Sequence, residues 1–250
     1  MLRDVEFGLI KSAKGCGSEV CAQVLRQSPL LNDPNQKSHY IQILKIQLLA
    51  ISGDVSTAQQ RAKGLPQGWK KIIDALFNSR QYQKLIAFQL EPGASIEDQA
   101  EFCFYKAMAL HNLAFRDVKY NKGRMSEEFV KRLQVMLSWA DALCKDSIRL
   151  SYNHKALSQR AHILGLKAEL VLDDETYDDL LDEQSLYFEL ANAADPDRKL
   201  RQKGRCQEWR SDEHWAKGVL ADRRRALKRD QRHKPYDRDE RRIRKKPGRR

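Results

Sequence analysis

Fifteen cationic side chains gather near one end of this chain: Arg223, Arg224, Arg225, Lys228, Arg229, Arg232, Lys234, Arg238, Arg241, Arg242, Arg244, Lys245, Lys246, Arg249 and Arg250. Most are arginine. A guanidinium is planar, permanently charged, and able to grip a phosphate through two parallel hydrogen bonds. The chemistry this predicts is neutralisation of a polyanion. The density of positive charge and its arginine bias favour nucleic acid, RNA or DNA, or a ribonucleoprotein. Contacts to backbone phosphates imply little base specificity. A solubilising tail, an acidic protein partner and a localisation signal are the competing readings of the same residues. A membrane surface is disfavoured, because the last residues lack the apolar face an interfacial helix needs.

The remaining candidates for chemistry are sparse. Cys16 and Cys21 are separated by four residues and have no second Cys or His pair nearby, so a zinc site is not expected. Cys16 stands between Gly15 and Gly17 ahead of a helix start, a setting that can activate a thiol, but no motif supplies its base among His39, His111 and His154. Lys14-Gly15-Cys16-Gly17-Ser18 lacks the spacing of a phosphate-binding P-loop, and no HExxH, GxSxG or GxGxxG occurs. His154 and His162 are two helical turns apart. Asp178, Asp179, Asp182 and Glu183 put carboxylates on successive turns without the shaped loop a divalent cation requires. Lys119, Tyr120, Lys122 and Arg124 form a small basic segment expected to be a loop. The expectation is a non-enzymatic protein without a cofactor.

These residues must be positioned by helices. The chain has 30 Leu and 23 Ala but only 9 Val and 2 Thr. That composition favours helix over a pleated sheet. The apolar spacing predicts nine or ten helices joined by short turns. Predicted breaks are Gly15 to Gly17, a loop at Pro29 and Pro34, Gly53-Asp54, Leu65-Pro66 and Pro92-Gly93. Ser95 and Ser126 are expected N-caps. Helices are predicted over 126–144 and 147–172, with an acidic helix over 173–190. No run of about 18 apolar residues is present, and Asp4 and Glu6 interrupt any N-terminal leader, so a cytoplasmic protein is expected.

Charge divides the chain into three parts. Residues 1–197 carry a net −2 and are predicted to be an all-α body; residues 198–250 carry a net +14. Residues 198–227 keep an apolar stripe through Cys206, Trp209, Ala216, Leu220 and Leu227, and predict a helix docked on the body. Its other face would carry Arg205, Arg210, Lys217 and Arg223 to Arg225. Residues 228–250 have net +8 and few apolar side chains, which predicts disorder. The acidic stretch 173–189 lies just before this arm and could pair with it, masking it until a polyanion intervenes.

Two helical pairs carry a further pattern. In residues 40–66, Gly53-Asp54 sits at the turn, Ala58 lies in the second helix and Pro66 closes the unit; in residues 69–92, Trp69 opens the first helix, Tyr82 the second, and Pro92 closes it. These hairpins resemble degenerate TPR repeats. The two turns are 27 residues apart where a TPR array repeats at 34. Ile46 and Ile73 stand where a small residue is expected. The resemblance implies an irregular helical solenoid or bundle that binds a protein or peptide on its body. Such a scaffold, with the basic tail docking an acidic protein, is the alternative to a nucleic-acid-associated adaptor.

Overall fold

A computed structural model of the chain describes residues 2–35, 37–121, 125–195 and 207–233. Among the described residues it contains twelve α-helices and no strand. They are α1 Leu2–Ala13, α2 Ser18–Gln27, α3 Pro29–Asn32, α4 His39–Ser52, α5 Val55–Ala62, α6 Gly68–Asn78, α7 Tyr82–Ala87, α8 Ile96–Tyr120, α9 Glu127–Leu150, α10 His154–Ala168, α11 Asp174–Ala193 and α12 Gln207–His233. The chain divides into two compact units. Unit one comprises Met1–Leu113 with Ala142–Tyr152; unit two comprises Ala114–Asp141 with the chain from Asn153 onward.

Unit one is organised around α4, which packs against α2, α5 and α6. Its apolar residues cover most of its circumference, so Leu44, Ile46, Leu48 and Ile51 are all buried, along with Ile72, Ile73 and Leu76 of α6. Ile46 and Ile73, the two departures from the TPR pattern, are therefore core residues. The α4–α5 turn is closed by Gly53 at φ 112°, whose N–H donates to the Leu49 and Ala50 carbonyls. That left-handed conformation is the reason glycine ends this helix. Asp54 then caps α5 by accepting from the Thr57 N–H at 3.1 Å. The Thr57 hydrogen bonds hold the Asp54 carboxyl below the usual carboxylate range.

Gly68 opens α6 against the end of α5. A Cβ there would lie 2.2 Å from the Ala62 carbonyl oxygen, a backbone atom that cannot swing aside. Gly68→Ala is expected to destabilise the protein by about 1–3 kcal/mol, despite alanine's better helix propensity. Urea unfolding checks this; an unchanged or raised midpoint contradicts the contact. On α8, Phe102 meets Trp69 and Phe88 edge-on, and the Tyr105 hydroxyl donates to Asp74 of α6 at 3.0 Å. Burial, then the neighbouring Asp74 charge, pushes the Tyr105 phenol well up.

Unit two is built on α10, which is buried on nearly every side: Ala156, Leu157, Ala161, Ile163, Leu164, Leu166 and Ala168 are all covered. Phe129, Val130, Leu133, Leu137 and Ala140 of α9 are also in the core. α11 packs along α10. One charged residue, Arg160, sits inside this helix at 3% exposure. A buried cation must be paired. Its Nε donates to Asp141 at 2.8 Å, its terminal nitrogen to Glu183 at 2.5 Å, and its guanidinium lies 4.0 Å from the centre of the Tyr187 ring. Lys167 adds a 3.3 Å bond to the other Asp141 oxygen.

Several boundaries differ from the sequence reading. Residues 29–32, expected as loop, form a one-turn helix because Ser28 accepts from the Leu31 N–H and Pro29 sits where a missing N–H costs nothing. α8 continues to Tyr120, so Lys119 and Tyr120, expected in a loop, are helical. α9 runs through 145 and 146 to Leu150, and the break falls at 151–153. Asn153 starts α10 by accepting from the Ala156 N–H at 2.8 Å. Neither Lys145 nor Asp146 breaks a helix; Asn153 is a strong N-cap. The caps predicted at Ser95 and Ser126 are present, accepting from Asp98 N–H at 3.0 Å and Phe129 N–H at 3.1 Å.

Candidate nucleic-acid interface

The candidate cations within the described part of the chain, Arg223 to Arg225, Lys228, Arg229 and Arg232, lie on α12. This helix belongs to unit two, and Ala216 and Leu220 are buried there. Residues four apart stack along one helical face. Continuing that ladder from Ala216 and Leu220 leads to Arg224 and Lys228. The buried stripe thus changes from apolar to cationic along a single face.

Arg224 does not point outward with Arg225, as a uniformly basic face would require. Its side chain is 12% exposed. Its Nε donates to the Val171 carbonyl at 2.8 Å, its terminal nitrogen pairs with Asp174 at 3.0 Å, and its guanidinium lies 3.6 Å from the centre of the Tyr177 ring. Lys228, one turn on, pairs with the same Asp174 carboxylate. Guanidinium tolerates this position because a carbonyl, a carboxylate and an aromatic face replace its water shell.

Other acids surround these cations. Glu169, at the C-terminal end of α10, is half-buried; burial pushes its carboxyl up, while Arg224, Lys217 and Arg225 pull it back down. Asp173 caps α11, accepting from the Thr176 N–H at 2.8 Å and its hydroxyl at 2.7 Å. The Thr176 hydrogen bonds hold the Asp173 carboxyl below its ordinary range, and Lys228 adds to that effect. Asp174 is different: its side chain is 73% exposed while holding two cations.

The outward face of α12 carries Asp222, Arg225, Ala226 and Arg229, all exposed. Arg225 pairs with Asp222 at 2.6 Å, with both side chains in solvent. A pair so exposed contributes little and opens readily. Arg223 is half-buried on the flank. Arg232 lies in the last turn of α12. The helix runs to His233, beyond the boundary expected at 227. Residues 228–233 contain no Gly or Pro, and the first helix-incompatible residue is Pro235. Lys234, Arg238, Arg241, Arg242, Arg244, Lys245, Lys246, Arg249 and Arg250 lie outside the described residues, as do residues 198–206.

The other candidates do not converge. Cys16 is exposed and its thiol donates to the Ser12 carbonyl, whereas Cys21 is buried and donates to Ala13. Burial pushes the Cys21 thiol up, the opposite of what a nucleophile needs. His162 packs edge-on against Phe188. Asp178, Asp179 and Asp182 are exposed, and Glu183 is turned to Arg160. Among the described residues, no group of three His, Cys, Asp or Glu side chains is placed to hold a metal ion. No helix among them is long and apolar enough to cross a membrane.

Two features escaped the sequence reading: Arg160 with its carboxylates, and the seat made by Val171, Asp174 and Tyr177. A signal existed for the second, since Arg224 and Lys228 fall on the Ala216–Leu220 ladder. No protein-family model, curated protein or solved structure matches this chain.

Proposed function

We propose that this protein is a non-enzymatic adaptor that engages nucleic acid through α12 and the basic residues beyond it. The observation that carries the reading is the division of charge, net +14 after residue 197 against −2 before it. The exposure of Arg225 and Arg229 supports it: a helix anchored by Ala216 and Leu220 turns two arginines into solvent one turn apart. Their alignment suits successive phosphates more than base edges, so affinity exceeds specificity. The helical body serves a protein partner. Val135 and Trp139, one turn apart on α9 and 72% and 49% exposed, are candidates for that contact. An exposed tryptophan beside a second large apolar side chain is more typical of interaction surfaces than of ordinary ones. The sequential packing of α4, α5, α6 and α7 also suits an irregular TPR-like repeat.

The test is a salt titration of the full chain with labelled oligo-uridine and with duplex DNA. Neutralising roughly 6–10 phosphates makes affinity fall about 10³–10⁵-fold between 50 and 200 mM salt. Binding that ignores salt, or no binding at low salt, refutes the reading. A preference between the two ligands assigns RNA or DNA.

A further inference from the structure

We infer that Arg224, Lys228 and Tyr177 form a phosphate cradle that Asp174 occupies from within the chain, so that nucleic acid binds there by exchanging a phosphate for this carboxylate. The inference rests on the nucleic-acid reading and names a regulated site within it.

The arrangement has the parts of an anion site. Two cations from adjacent turns of α12 converge on one carboxylate. One of them, Arg224, is held in place independently of that carboxylate, by the Val171 carbonyl and the Tyr177 ring. Removing Asp174 from the site therefore leaves the guanidinium aimed at the same point. Pre-organised donors of this kind suit a phosphate, which accepts two parallel N–H bonds.

Asp174 is well suited to leave. It is largely solvent-exposed, so its pairs are screened and readily exchanged. Its neighbours are not interchangeable with it. Asp173 is tied to Thr176, and Glu169 is half-buried, with its carboxyl pushed up by burial. Exchange is an ionic substitution in which no covalent bond forms or breaks. While Asp174 stays, two of the chain's cations are withheld from any ligand; when it leaves, both are added to the interface.

The experiment compares the full chain with Asp174→Asn, an isosteric change, using fluorescein-labelled oligo-uridine of about 20 nucleotides. For single strands each phosphate contact contributes about 0.7 to the slope of log affinity against log salt, or about fivefold at 0.1 M. The variant is expected to steepen the slope by about 0.7–1.4 and to bind about 5–25-fold tighter at 0.1 M salt. Adding Lys228→Gln to that variant should return about half of the gain. An unchanged slope in a variant that melts like the parent, while the parent binds, overturns the cradle and leaves the nucleic-acid reading intact. If the parent shows no salt-dependent binding, that reading fails. The cradle is then judged with inorganic tripolyphosphate, followed at the Arg224 Nε–H resonance. A shift that saturates at lower concentration in the variant supports exchange at a general anion site, and no shift overturns it.

Discussion

Replacing Arg160 with alanine is expected to destabilise unit two by about 3–5 kcal/mol, among the largest effects a single substitution in this protein can have. The cause is the helix on which Arg160 sits. Because α10 is buried on nearly every side, the guanidinium is enclosed between Asp141, Glu183 and the Tyr187 ring. Without it, Asp141, only 7% exposed along its side chain, loses its Arg160 partner while keeping Lys167, and the side of its carboxylate that held the guanidinium faces a void. Glu183 is 39% exposed and can recover water, so most of the cost falls on Asp141. Reversible urea unfolding measures the effect. A loss under about 1 kcal/mol would show that the cluster behaves as a surface ion pair. A companion variant sharpens the cause. Arg160→Met with Asp141→Leu and Glu183→Leu removes both signs of charge while keeping volume, and should recover much of the loss. The cluster then specifies which helices meet more than it stabilises their meeting.

The second large effect concerns where the basic arm can be removed. A chain ending at His233 should retain the fold and lose most of its affinity for nucleic acid. The residues removed, 234–250, hold nine of the fifteen candidate cations. If six of them contact phosphates of a single strand, the slope of log affinity against log salt flattens by about 4. At 0.1 M salt that is a loss of about 10⁴-fold. Fluorescence anisotropy across a salt series reads both quantities. Undiminished binding would assign the interface to the exposed face of α12 alone. A chain ending at 197 is the wrong comparison, although the charge boundary suggests it. It removes Ala216 and Leu220 from the core of unit two and strips Asp174 of both partners. Its loss of binding would be confounded with loss of structure.

Much of the architecture could be read from residue spacing. Apolar stripes at helical period mark the buried faces of α4, α6, α9 and α10, and the Gly53-Asp54 turn lies where glycine chemistry puts it. The reading failed where the local signal was weak or the deciding partner was distant. The α9–α10 boundary lacks glycine and proline, and depends on one asparagine side chain capping one amide. Arg160 looks like an ordinary polar position until α11 closes over it. Arg224 is the instructive case at the candidate site. In sequence it is the middle of three consecutive arginines, set apart from its neighbours only by its place on the Ala216–Leu220 ladder. Helical geometry turns it about 100° from each, enough to send Arg224 inward while Arg225 stays in solvent. Charge density marks the arm as cationic. It did not predict which cations the protein keeps for itself.

The ladder along α12 gives the helix two anchors with opposite responses to solvent. Ala216 and Leu220 hold it by removing apolar surface from water, a force that weakens on cooling and strengthens with excluded salts such as sulfate. Arg224 and Lys228 hold it by charge, which any salt screens. Cold therefore loosens the attachment near Leu220, and chloride loosens it near Lys228. Only when both are weakened together does α12 come away as a unit, so the helix can release its cationic end while its apolar end stays seated.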